Sequence, residues 1–229
     1  MHEVFLDELK KLNTRFMNLG IDVSEQIDEA TQAYIDHDKK LAQELVSDDK
    51  KFSRTALKVE KRTLKLMALQ QPVATDFRTV ISILEATSDL ERIGENSMSI
   101  AWETIRVKGN RRIPEVEEVI TSMSKKVNVM LDQILKAYVQ DNEKLARDMA
   151  KKDDEVDADF VKARNAAVAG VQKDPEAAIA TASYFMIIRL LERIGDHVVN
   201  LAQWVVYKTS GELVDLNTPR HNYNEDMNM

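Results

Sequence analysis

The chain reads as all-α, two tandem three-helix bundles related by an internal repeat, on three observations. Apolar residues recur in steps of three and four along most of its length, no segment alternates with period two, and the string Leu-Glu-Arg-Ile-Gly occurs twice, at 90–94 and 191–195. The spacing predicts six helices, over about 3–36, 38–70, 73–107, 114–140, 142–170 and 175–209. Each would be about 45 Å long at 1.5 Å per residue.

The first follows from Phe5, Leu9, Leu12, Phe16, Leu19, Val23, Ile27, Ala30 and Tyr34, one face of a helix. The second carries Leu41, Leu45, Phe52, Ala56 and Val59 and ends before Pro72; the third runs through Phe77, Ile81, Leu84, Met98 and Trp102. Gly109 then precedes Pro114, Gly170 precedes Pro175, and Gly211 precedes Pro219. Glycine past a helix end with proline opening the next segment is the expected asymmetry at a boundary. Between those marks the fifth helix shows Leu145, Met149, Val156 and Phe160.

The repeat extends beyond its five-residue string. Tyr34, Leu41, Ala42 and Asp49 find Tyr138, Leu145, Ala146 and Asp153 at an offset of 104, against 101 for the string, the difference falling near Pro72 and Pro175. The expected organisation is a first bundle over 1–107, a linker at 108–113, a second bundle over 114–210 and a polar tail at 211–229.

Composition excludes several classes. At 229 residues, 44% hydrophobic, the chain is long enough for a real core. Six glycines and four prolines are too few for a disordered or loop-rich chain. Without cysteine there is no disulfide framework, thiolate metal site or cysteine nucleophile. A net charge of −7 has the wrong sign for general nucleic-acid binding. The charged amino terminus lacks the apolar stretch of a secretory signal, and no apolar run of about 20 residues spans a bilayer. A cytoplasmic location is the expectation, with peripheral membrane association left open.

Acids stand where the apolar rows should continue. Asp49 interrupts the stripe between Leu45 and Phe52, and Asp153 the one between Met149 and Val156. Asp157 lies four residues after Asp153; Glu91 and Glu95, and again Glu192 and Asp196, repeat that spacing. Like charges at i,i+4 destabilise a helix by a few tenths of a kcal/mol, about 0.2–0.5. Converging carboxylates with almost no histidine make a hard oxygen-donor site, suited to Mg²⁺, Ca²⁺, Mn²⁺ or iron, with Zn²⁺ less natural. His197 and Asn200 follow on the same helix as further ligands or their supports. The competing account is ion pairing, for which Arg78, Arg92, Arg189 and Arg193 are available.

Two three-helix repeats, each ending in Leu-Glu-Arg-Ile-Gly followed by Glu or Asp, resemble the PhoU family. So do Gln71-Pro-Val-Ala-Thr-Asp-Phe-Arg78, Asp153-Asp-Glu-Val-Asp157 and Glu192-Arg-Ile-Gly-Asp-His-Val-Val-Asn-Leu-Ala202. The resemblance covers about 5–210. It implies an all-helical, often dimeric negative regulator that communicates between the phosphate ABC transporter and a sensor histidine kinase, and that holds metal on each bundle. By residue, it assigns metal to Asp153, Asp157, Glu192 and Asp196 in the second repeat. In the first it assigns Asp49, Glu91 and Glu95, with Asp76 and Asn96 beside His197 and Asn200 as supporting groups. The first repeat departs from the pattern: Ser53 stands where Asp157 aligns, Glu95 replaces the last aspartate, and Asn96 replaces the histidine. The second bundle is therefore expected to bind metal more completely.

Three other functions compete with this reading. An enzyme is disfavoured, since there is no Glu-x-x-His pair, no phosphate-binding glycine loop and no nucleophile elbow. A phosphotransfer module would need a presented histidine, and of His2, His37, His197 and His221 only His197 is placed mid-helix. A metal-free scaffold would dock partner helices in its grooves.

Overall fold

The computed structural model describes residues 2–48, 50–107 and 111–217. Among them there is no strand. The elements are α1 (His2–Ile35), α2 (Lys39–Leu45), α3 (Lys51–Gln70), α4 (Ala74–Arg106), α5 (Pro114–Gln140), α6 (Glu143–Ala150), α7 (Asp153–Lys173), a 3-10 turn (Pro175–Ala177) and α8 (Ala178–Ser210).

Two of the six predicted helices are broken. The segment expected over 38–70 divides into α2 and α3, and that over 142–170 into α6 and α7. The apolar rows run across both breaks, so periodicity does not reveal them. End chemistry reveals the second: Asp153, Asp154 and Glu155 fill the first turn of α7, where the unpaired N–H groups and the helix dipole favour negative charge, whereas the first turn of α3 holds no acid. Gly170 does not end its helix, which continues to Lys173. A Cβ at Gly170 would stand 2.5 Å from Ile113 Cδ1, so the glycine lets the segment before α5 lie against α7. Pro114 does open α5, and Gly211 does close α8 with φ 82°.

The repeat is visible in the backbone. His37 and Asp141, 104 residues apart, both take positive φ after α1 and α5. The next residues cap the short helices: the Asp38 carboxylate accepts from the N–H groups of Lys40 and Leu41, and the Asn142 side chain from that of Leu145.

The halves meet through α1 with α5 and through α4 with α8, each pair antiparallel. On the first pair Tyr138 meets Asn13 and Phe16, a Cβ at Gly20 would touch Leu135, and Ser24 hydrogen-bonds Asn128. Ser24 and Asn128 are repeat equivalents, so an approximate two-fold axis passes between them. On the second pair Arg78 lies by Gly211 and Asp89 by His197 and Asn200. That register carries the two Leu-Glu-Arg-Ile-Gly strings to the same level, where the axis emerges. One apolar core crosses it, from Phe5 on α1 to Val205 on α8.

At one end of this interface Tyr184 Oη donates to the buried Glu117 carboxylate at 2.7 Å, which Arg112 also grips at 2.6 Å. Tyr34 Oη donates to Ser183 Oγ at 3.0 Å. At the equivalent place across the axis Tyr138 Oη donates to the neutral Asn13 at 3.0 Å. No helix among the described residues is long and apolar enough to cross a membrane.

Candidate functional site

The break before α7 puts Asp153 at the first turn of a helix that lies against α8. Its side chain is 8% exposed, and its Oδ1 is buried without a hydrogen-bond partner among the described residues. The neighbour across the contact is Gly195, the last residue of the second motif. A Cβ there would stand 2.5 Å from Asp153 Oδ1, so only glycine lets the carboxylate rest on α8. Burial, and then the charges of Asp157, Asp196, Glu192 and Asp154, push the Asp153 carboxyl up to about 7. The four acids predicted for the second repeat thus share one locus between α7 and α8. Glu192 is 1% exposed and accepts from Arg189 Nη1 at 3.0 Å. Asp157 and Asp196 are half-buried.

The donors suit a divalent cation in type: hard oxygens only, one buried oxygen without a partner, and crowded negative charge. They are not gathered as ligands of one ion, for among the described residues no three Asp, Glu or His side chains form a group that could hold a metal.

The first repeat is built differently at the same place. Asp49 lies outside the described residues. The ring of Phe52 covers Gly94, where a Cβ would stand 2.5 Å from its Cγ. Glu95 pairs with Arg92 at 2.8 Å and accepts from Ser53 Oγ at 3.4 Å, an arrangement in which the serine replaces a second acid. Glu91 and Glu85, after burial itself, raise the carboxyl of Glu60 on α3. Glu60 was not anticipated, because it interrupts no apolar row.

The supporting groups divide. His197 Nδ1 lies 3.0 Å from Asp89 Oδ1, and Asn200 Nδ2 donates to the same oxygen at 3.2 Å. Both tie α8 to α4 across the two-fold, and Asp89 was missed because Leu190 occupies its place in the other repeat. Asn96 is buried, with its Nδ2 lacking a partner among the described residues. Asp76 stands in the first turn of α4, about 28 Å along the helix from Glu95 at 1.5 Å per residue, too far to support it. His221 lies outside the described residues, as do 108–110 of the expected linker and 218–229 of the expected tail.

Comparison with known proteins bears on this pattern directly. The family model described as "PhoU domain" matches the chain twice, over 16–104 and 120–205. The chain belongs to the PhoU family. The phosphate-specific transport system accessory protein PhoU homolog of Streptococcus pneumoniae is 35% identical over 218 residues, 95% of this chain and 100% of that protein. The homolog so named in Pseudomonas aeruginosa is 30% identical, covering 90% of this chain and 86% of its own length. The crystal structure of the phosphate transport system regulatory protein PhoU from Streptococcus pneumoniae aligns with a TM-score of 0.85 at 32% identity, over 92% of this chain and 99% of that one. PhoU from Pseudomonas aeruginosa aligns with the same score at 29% identity, over 91% and 100%. PhoU proteins are regulatory accessory proteins rather than enzymes, by name and by fold.

Proposed function

We propose that the chain is a PhoU-type regulator of phosphate uptake and phosphate-starvation signalling, acting in the cytoplasm as a dimer between the phosphate ABC transporter and a sensor histidine kinase. The names of its relatives support the transport half of this reading, and the resemblance to the family supports the rest.

The observation that carries a cation-responsive mechanism is the buried Asp153 carboxylate, its Oδ1 without a hydrogen-bond partner among the described residues, close to Asp157, Glu192 and Asp196. Asp153 and Asp157 on α7 and Glu192 and Asp196 on α8 would hold the metal. It would supply positive charge that draws the two helices together and fixes the face offered to a partner. This chain's own contribution is Gly195, which admits the carboxylate, and Arg189, which anchors Glu192. Asp89, His197 and Asn200 link α8 to α4, so a shift of α8 would reach the first repeat.

Metal analysis of protein purified without added metal tests the site. The wild type should carry metal that a Glu192→Ala/Asp196→Ala double variant lacks; equal content in both would remove the assignment. Capture on membranes holding the phosphate transporter tests the partner, and loss of capture after chelation would connect the two. One observation favours a metal-free scaffold, the absence of a gathered ligand group among the described residues. A melting temperature untouched by chelator or added Mn²⁺ would establish it.

A further inference from the structure

The first repeat carries a feature unrelated to the acids. Along α3, Lys51, Arg54, Lys58, Lys61, Arg62 and Lys65 face a single acid, Glu60, in a chain whose net charge is −7. Most of these cations stand three or four residues apart, a spacing at which like charges on a helix repel. A groove of about 750 Å³ runs between α3 and α1, within the range of about 300–1,000 Å³ usual for small-molecule sites. Arg15, Lys58, Lys61, Arg62 and Lys65 line it, with Glu8 the one acid.

Glu8 is already neutralised. Arg62 donates to its Oε2 through Nε at 3.1 Å and Nη2 at 2.6 Å, which also holds the guanidinium in place. Arg15, Lys58, Lys61 and Lys65 have no ion pair among the described residues. The groove is also graded along its length. Glu8 with Arg62 and Asp22 with Lys51 show that α1 and α3 run antiparallel, so Arg15 comes level with the Lys58 end. At the far end, about 16 Å along α3 at 1.5 Å per residue, Val4 and Leu69 are exposed beside buried Leu66 and the Gln70 amide.

A cationic end and an apolar end in one groove define the ligand's chemistry. We propose that the α1–α3 groove binds an oligophosphate carrying an apolar group, the chemistry of a nucleoside triphosphate. Its phosphates lie against Arg15, Lys58 and Lys61, and its apolar group against Val4, Leu66 and Leu69. Guanidinium and ammonium donors give charge-assisted hydrogen bonds to phosphate oxygens, and the leucines give the ring a dry face.

Equilibrium titration of the full chain in metal-free, low-salt buffer tests this with adenosine triphosphate, inorganic tripolyphosphate and orthophosphate as probes. ATP should bind more tightly than tripolyphosphate, and orthophosphate at least about a hundredfold more weakly than ATP. The exposed pair Lys58→Glu/Lys61→Glu should lower ATP affinity at least about tenfold with an unchanged melt, while Lys162→Glu on α7 leaves it intact. Leu69→Ser should erase the advantage of ATP over tripolyphosphate. No binding at millimolar concentration, or ATP binding untouched by the Lys58/Lys61 pair, overturns the site. Equal affinity for ATP and tripolyphosphate overturns the apolar end and identifies a bare oligophosphate. Because no metal is present, neither result depends on the acidic locus of the second repeat.

Discussion

The same glycine meets an aromatic ring in one repeat and a carboxylate in the other. Gly94 is covered by Phe52, Gly195 by Asp153. Around the first, α3 is strongly basic and Glu95 is satisfied by Arg92 and Ser53; around the second, five acids open α7, and Oδ1 of Asp153 is buried with no hydrogen-bond partner among the described residues. The backbone scaffold is held in common while the charge on it has diverged. A packing requirement, close approach of two helices, has been filled once for stability and once at its expense. The acids proposed to hold a cation therefore lie in the second repeat, and the basic groove proposed to hold an oligophosphate in the first.

The largest expected effect comes from Asp153. Its carboxyl titrates near 7 when folded against 3.8 when exposed, so between those values the native state binds more protons than the unfolded one. This group's contribution is best below about pH 4, declines as pH rises, and is a constant penalty above about 7. In chelator at pH 8, Asp153→Asn should raise stability by up to about 4 kcal/mol, on the order of 10 °C in Tm. It should flatten the melting profile between pH 5.5 and 8 and abolish any gain from Mn²⁺. A lower melting temperature than wild type at pH 8 would show that the carboxylate is already compensated.

Next comes a pair of polar contacts at equivalent places, one within the second repeat and one between the repeats. Glu117→Ala removes the acceptor of the Tyr184 hydroxyl and the acid gripped by Arg112 and should cost about 2 kcal/mol in urea unfolding, whereas Asn13→Ala at the equivalent place removes one neutral bond and should cost about 1 kcal/mol. Equal losses would mean that the charge adds nothing at that end. The glycines give a contrast of size: Gly94→Ala must displace an aromatic ring and should destabilise by about 1–3 kcal/mol. Gly195→Ala should cost less in thermal melts without metal, because it ejects an unfavourable carboxylate, yet it should lower metal content. Smallest is Ser53→Asp, which restores an acid to the first repeat. It should change stability by less than about 1 kcal/mol and raise metal stoichiometry, since one polar group replaces another at a half-buried position.

Much of this was legible in the residue order. The rows from Phe5 to Tyr34 are buried as the 3.6-residue period requires, with Leu9 at the margin, and the repeated string marks helices that do meet. The breaks at 46–50 and 151–152 were hidden because apolar spacing persists through them; the acids of 153–155 carried that information for the second, as a helix start. The clustering of Asp153, Asp157, Glu192 and Asp196 was readable, since Asp153 interrupts an apolar row and the acids recur at a four-residue spacing. Asp89 and the groove of Arg15, Lys58, Lys61 and Arg62 were not. Their partners lie on other helices, and a lysine on an exposed face disturbs no pattern.

The crossing of α1 over α5 and α4 over α8 has a consequence for how the polypeptide holds together. Each half presents to the other the apolar surface that the other presents to it, so covalent continuity between α4 and α5 serves to raise local concentration rather than to create the contact. Co-expressed as separate pieces, the halves would recognise each other by shape, and one half alone would pair with its own copy as the nearest substitute.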